Sequence, residues 1–131
     1  MARHNEIGKI GEDIASEWLI RAGYVLIERN YLKKFGEIDI VARETNIIHF
    51  IEVKTVSYET IPDLNRDVSH ETWRPEDNVH DNKVRRLKRV IETGLFQRKY
   101  KGKFQIDIVT VRLVTREKYA RIKMIANVVF E

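Results

Sequence analysis

The stretch Ile47–Val56, IIHFIEVKTV, constrains the fold more than any other part of the chain, because its apolar side chains fall at both parities. Successive strand residues point to opposite sides of a sheet, so a strand that is apolar on both sides has to be covered on both. The central strand of a layered α/β domain meets that demand, and a half-solvated antiparallel sheet does not. With 131 residues, 43% of them hydrophobic, the chain has material for one such core. That length leaves no room for two ordinary domains, so a single domain over 1–131 is expected.

Around this strand the periodicities are clear. From Asn5 to Ala22 the residues Ile7, Ile10, Ile14, Ala15, Trp18, Leu19 and Ala22 form a helical stripe, with Asn5 as N-cap and Gly23 as stop. Tyr24–Tyr31, Phe35–Arg43 and Ile47–Val56 then read as three strands joined by short polar breaks. A second helix is expected from about Asn82 to Arg98, long enough to serve as a crossover to a parallel strand. Two strands follow, Phe104–Thr115 and Ala120–Phe130, around an Arg116-Glu117-Lys118 turn. The predicted order is α-β-β-β-α-β-β, a mixed sheet of about five strands flanked by helices.

Charge is distributed unevenly. The net +4 hides a segment, 58–82, with seven acids against Arg66 and Arg74, a local −5, which leaves 22 basic and 13 acidic residues, +9, elsewhere. Periodicity vanishes there and both prolines, Pro62 and Pro75, occur there, so 57–82 reads as a long acidic loop with room for a short helix. The absence of cysteine excludes a disulfide scaffold, a Cys-ligated zinc site and a thiol nucleophile. No apolar run approaches the roughly 18 residues of a membrane span, and MARHNEIGKIGED has no apolar signal core. A soluble cytoplasmic domain without a membrane partner is the expectation.

Two carboxylates stand where strands do not welcome them. If Thr45-Asn46 is the hairpin loop and Glu44 faces Ile47, then Val41 lies opposite Phe50, Asp39 opposite Glu52 and Glu37 opposite Lys54. Paired carboxylates across a covered sheet repel and are expensive to desolvate, so a cation between them or a shared proton is required. Hard oxygen donors of this kind suit Mg²⁺ or Mn²⁺, with Lys54 beside the ion. Two other arrangements fit the residues equally: each carboxylate paired with an arginine, or a register slipped by one that sends them to opposite faces.

Asp39, a gap of twelve residues and then Glu52-Val53-Lys54 resembles the active-site signature of the PD-(D/E)xK, restriction-endonuclease-like nuclease superfamily. A narrower set is similar in order and spacing to the YraN-like family of predicted endonucleases. It comprises Gly8-x-x-Gly11-Glu12, GYVLIERNY at 23–31, GEIDIVA at 36–42, FIEVKT at 50–55, Lys83 opening a basic helix, and IDIVTV at 106–111. The resemblance implies a restriction-endonuclease-like fold and metal-dependent hydrolysis of DNA phosphodiesters, with branched or damaged DNA in repair or recombination as a candidate substrate. It assigns Asp39 and Glu52 to the metal with the Val53 carbonyl, and Lys54 to the attacking water. Glu12 matches a helix acid that completes the metal site in archaeal Holliday-junction resolvases, and analogy with those resolvases suggests a homodimer. Ile38 stands where the superfamily has proline, while Val56 and Gln105 replace basic residues common in relatives.

The other candidates carry two readings each. Glu37 matches the family's GEID and ranks behind the main set, since a cross-strand pair with Lys54 also explains it. Gly8 and Gly11 admit either a phosphate or close helix packing, and packing is favoured. His4, His49, His70 and His80 lack metal spacing, His49 reads as a hydrogen-bonded core residue, and Asp107 as a residue with a structural partner. Trp73 is either a base-stacking residue or a loop anchor. The basic face of the second helix, represented by Lys83, Arg86 and Arg89, is either a solvated surface or a phosphate track. A non-catalytic nucleic-acid-binding module that keeps the fold is the alternative function, although a pure binder gains nothing from carboxylates facing phosphates.

Overall fold

The computed structural model describes residues 2–31, 37–70, 89 and 102–126. Its elements are α1 (Ala2–Arg21), β1 (Val25–Tyr31), β2 (Ile38–Glu44), β3 (Ile47–Ser57), α2 (Ile61–His70), β4 (Lys103–Val114), a 3₁₀ turn (Thr115–Glu117) and β5 (Tyr119–Ile125). The strands form one sheet in the order β1-β2-β3-β4-β5, antiparallel except for the parallel β3–β4 pair. The doubly apolar strand is therefore central, as its pattern requires.

The expected order α-β-β-β-α-β-β is observed, with α2 as its second described helix. α2 occupies the first half of the stretch read as acidic loop, whereas the basic helix at Asn82–Arg98 lies outside the described residues. Of its phosphate-track residues, Lys83 and Arg86 fall outside, as does Trp73, while Arg89 has helical backbone and is exposed. α2 forms because its start is well capped. Thr60 Oγ1 accepts from the Asp63 N–H at 3.2 Å, and Glu117 Oε2 accepts from the Ile61 N–H at 3.0 Å. Pro62 sits in the first turn, where a missing N–H costs no helical bond.

α1 begins at Ala2, so Asn5 lies within the helix instead of capping it. Its end follows expectation: Gly23 adopts φ +99°, the Tyr24 N–H reaches the Leu19 carbonyl and the Gly23 N–H the Ile20 carbonyl. That is a Schellman ending, which a residue with a Cβ would strain. Ala15 and Leu19 of α1 pack with Ile40, Ala42, Ile51, Val53, Val109 and Val111 in the main core. On the other side of the sheet Phe50 meets Phe104 edge-to-face at 6.1 Å.

Candidate active site

The β2–β3 ladder runs from Glu44↔Ile47 to Ile40↔Ile51, with Val41 opposite Phe50. This is the expected register, and the one-residue slip is excluded. One step further the same register sets Asp39 opposite Glu52. Here the strands part, and Asp39 Oδ2 takes the Val53 N–H at 2.7 Å, standing in for a strand carbonyl. Only 8% of Asp39 and 4% of Glu52 is exposed. Lys54 emerges beside them with its Nζ 3.9 Å from Glu52 Oε1. The opening of the central hairpin thus gathers two buried carboxylates and a lysine from three motif positions.

Glu12, on α1, lies within range of the charge on Asp39. The close approach is made at Gly11, where an added Cβ would stand 1.8 Å from Thr55 Oγ1, so the helix backbone lies directly on β3. Close packing is the use of Gly11, while a Cβ on Gly8 would meet nothing within 4 Å. The Glu12 carboxyl is pushed above its ordinary range, first by burial and then by the negative charge of Asp39, with a smaller contribution from Glu37. Arg29 opposes the shift: its Nη2 lies 3.4 Å from Glu12 Oε1, and its Nη1 donates to Asp13 Oδ1 at 2.8 Å. Glu37 is half-buried just before β2, and the ion pair of Lys54 is with Glu52 instead of with it.

The chemistry of the donor set fits a hard divalent cation. The register brings the carboxyl groups of Asp39 and Glu52 onto neighbouring strands, and Mg²⁺ ordinarily takes one or two carboxylates with water and substrate oxygens completing its shell. Among the described residues no group of three or more His, Asp or Glu side chains closes a ready-made cage. Glu12 stands near Asp39 but is engaged by Arg29.

Two features outside the site agree with the sequence. His49 is buried, its Nδ1 2.5 Å from Asp107 Oδ2, and Gln105 donates to the other oxygen of Asp107 at 2.7 Å. His49 is therefore a core histidine and Asp107 its partner. What the sequence does not reveal is Arg29 and its companion Asp13, and the contact by which Tyr58, at the end of β3, holds α2, its hydroxyl donating to Asp67 Oδ2 at 2.7 Å.

Fold and site together define a mixed α/β domain with an acidic pair and a lysine at the open end of its central hairpin. The chain belongs to the family described as "Uncharacterised protein family UPF0102", the YraN-like family that its motifs resemble; the family model matches residues 11–111, from Gly11 through Val111. The UPF0102 protein of Campylobacter fetus is 32% identical over 122 residues, covering 92% of this chain and 90% of the relative. That of Dictyoglomus turgidum is 36% identical over 111 residues, 84% and 85% of the two. A shorter match, to the Leifsonia xyli protein, reaches 54% over 55 residues, 42% of this chain and 47% of the relative. No helix among the described residues is long and apolar enough to cross a membrane.

Proposed function

We propose that the protein is a metal-dependent endonuclease hydrolysing phosphodiester bonds of DNA, with branched or damaged DNA in repair or recombination as the substrate class. The observation that carries this reading is the juxtaposition of buried Asp39 and Glu52, the Asp39–Val53 N–H bond, and Lys54 at 3.9 Å from Glu52. It is the arrangement that the PD-(D/E)xK signature implies, and likeness to that superfamily and to the archaeal resolvases belongs to this proposal.

Asp39 and Glu52 would hold Mg²⁺ or Mn²⁺, with the Val53 carbonyl as a further donor and Glu12 as the third carboxylate. Such a cation, when bound, polarises a phosphoryl oxygen and makes water a better nucleophile. Lys54 holds the attacking water and offsets the negative charge that grows on the phosphoryl group as the new P–O bond forms and the sugar oxygen departs. Its side chain, about a quarter exposed, faces the solvent from which a DNA strand arrives. Lys83, Arg86 and Arg89 would supply the phosphate track, and a homodimer remains the assembly proposed by analogy.

Asp39→Asn is the decisive variant, because an amide oxygen can still accept the Val53 N–H and so spare the fold. It should abolish Mn²⁺-dependent nicking of branched and duplex DNA and weaken Mn²⁺ binding at least tenfold. Lys54→Ala should slow cleavage by about 10²–10⁴-fold while leaving Mn²⁺ bound. A wild type that binds no divalent cation and cuts no DNA across a broad panel of substrates overturns the proposal. Full cellular function in an Asp39→Asn, Glu52→Gln, Lys54→Ala triple variant would favour the non-catalytic binding module.

A further inference from the structure

We propose that Arg29 is a positioning residue for the metal site: it fixes the Glu12 side chain at the edge of that site, using Asp13 as its fixed point. The inference rests on the metal-dependent reading above and gives a role to a residue that the GYVLIERNY motif contains but that the resemblance leaves without one.

The argument begins with the register of β1. Val25 faces Arg43 and Leu26 faces Ala42, and an uninterrupted ladder would then set Arg29 opposite Asp39. Asp39 alternates with Ile40, so Arg29 would lie on the side of the sheet away from the Ile40 core. Instead the register shifts between Leu26 and Glu28, Glu28 faces Val41, and Arg29 faces Ile40. Ile40 belongs to the core beneath α1, so the bulge turns Arg29 towards α1. Re-aiming a side chain next to a site is a recurrent use of a β-bulge. The backbone departs again at Asn30, whose φ is +56°.

What the bulge achieves is a fork. One guanidinium nitrogen is fixed on Asp13 at 2.8 Å and the other lies 3.4 Å from Glu12. The fork restrains Glu12, whose side chain is about a fifth exposed and would otherwise turn to solvent. A planar guanidinium spans two carboxylates from adjacent helix positions, which a point-charged lysine ammonium does not. Partners that hold metal-binding side chains in place typically matter by 10–100-fold in affinity.

Mn²⁺ titration followed by electron paramagnetic resonance on the full chain tests this, with wild type, Asp39→Asn, Arg29→Met, Arg29→Lys and Asp13→Asn compared. Arg29→Met should raise the Mn²⁺ Kd about 10–100-fold, Arg29→Lys should recover part of the loss, and Asp13→Asn should fall between wild type and Arg29→Met. In the Glu12→Gln background Arg29→Met should add nothing, since both act through one carboxylate. Unchanged or tighter Mn²⁺ binding in Arg29→Met, or losses that simply add, overturns the role of Arg29 alone, provided wild type binds and Asp39→Asn does not. If wild type binds no Mn²⁺, the metal reading falls and the Arg29 role falls with it. Arg29→Lys keeps charge and bulk, so it still discriminates if Arg29→Met fails to fold.

Discussion

Gly8 and Gly11 lie one turn apart on α1, yet a methyl group added to each meets opposite surroundings. At Gly11 it would collide with Thr55, whereas at Gly8 it enters open space. Gly11→Ala is therefore expected to cost about 1–3 kcal/mol through forced separation of helix and sheet. Gly8→Ala should gain about 0.5–1 kcal/mol from reduced backbone entropy in the unfolded chain. Urea denaturation of the two variants checks both signs, and Thr55→Ala should recover part of the Gly11→Ala loss by removing Oγ1 and Cγ2. Were Gly8 kept for a phosphate, Gly8→Ala would lower DNA cleavage despite its gain in stability. At this scale the sequence was legible where period-two alternation and a two-residue hairpin fix partners, which is why Asp39, Glu52 and Lys54 could be placed together. Arg29 escaped because its direction depends on a bulge, and nothing in VLIERNY shows which residue the ladder will skip.

α2 shows how an element can be well built and still hard to read. Of its residues with described side chains only Leu64 is fully buried, and its stripe of Ile61, Leu64 and Val68 spans just two turns, too short to stand out among the acids. It is held by polar contacts made across the fold: Tyr58 to Asp67, Arg121 Nη2 to Asn65 Oδ1 at 2.8 Å, and Glu117 to the Ile61 N–H. These partners lie up to 56 residues away, beyond the reach of local pattern. The sheet, by contrast, was legible strand by strand because burial on two faces is written in consecutive residues. The Tyr58 contact has a pH signature. Burial, and then the bond to Asp67, push the Tyr58 hydroxyl from its ordinary 10 up to about 12. A raised pKa means the folded state holds this proton more tightly. Its stabilisation is then complete below about pH 10 and is lost as pH rises through about 12. Tyr58→Phe should cost about 1.5–3 kcal/mol near neutral pH, the worth of a hydrogen bond to a charged acceptor. That gap should narrow in urea unfolding curves taken at about pH 11.5, and a gap independent of pH would show that the hydroxyl contributes nothing through Asp67.

For the molecule as a whole, the charge count acquires a different meaning once α2 is seen. A −5 segment inside a +9 body suggests an electrostatic shield over the basic surface, and deletion of residues 59–77 is the simplest way to test for one. Such a deletion would remove the buried Leu64 and the Tyr58–Asp67 contact, and would confuse folding with electrostatics. Neutralisation separates them. Glu59→Gln, Glu71→Gln, Glu76→Gln and Asp77→Asn together change the segment from −5 to −1 and leave Asp63 and Asp67 in place. If the acidic segment screens a phosphate-binding surface, this variant should bind duplex DNA about 3–10-fold more tightly at low salt, where the Debye length is longer than about 10 Å. The advantage should shrink as added salt screens both the segment and the phosphates, and the slope of log Kd against log salt should steepen by the extra contacts released. Fluorescence anisotropy over a salt series measures both quantities with the fold intact. Equal affinities at low salt would mean that the acidic segment and the basic body do not share a surface, and that the net charge is the sum of two independent regions.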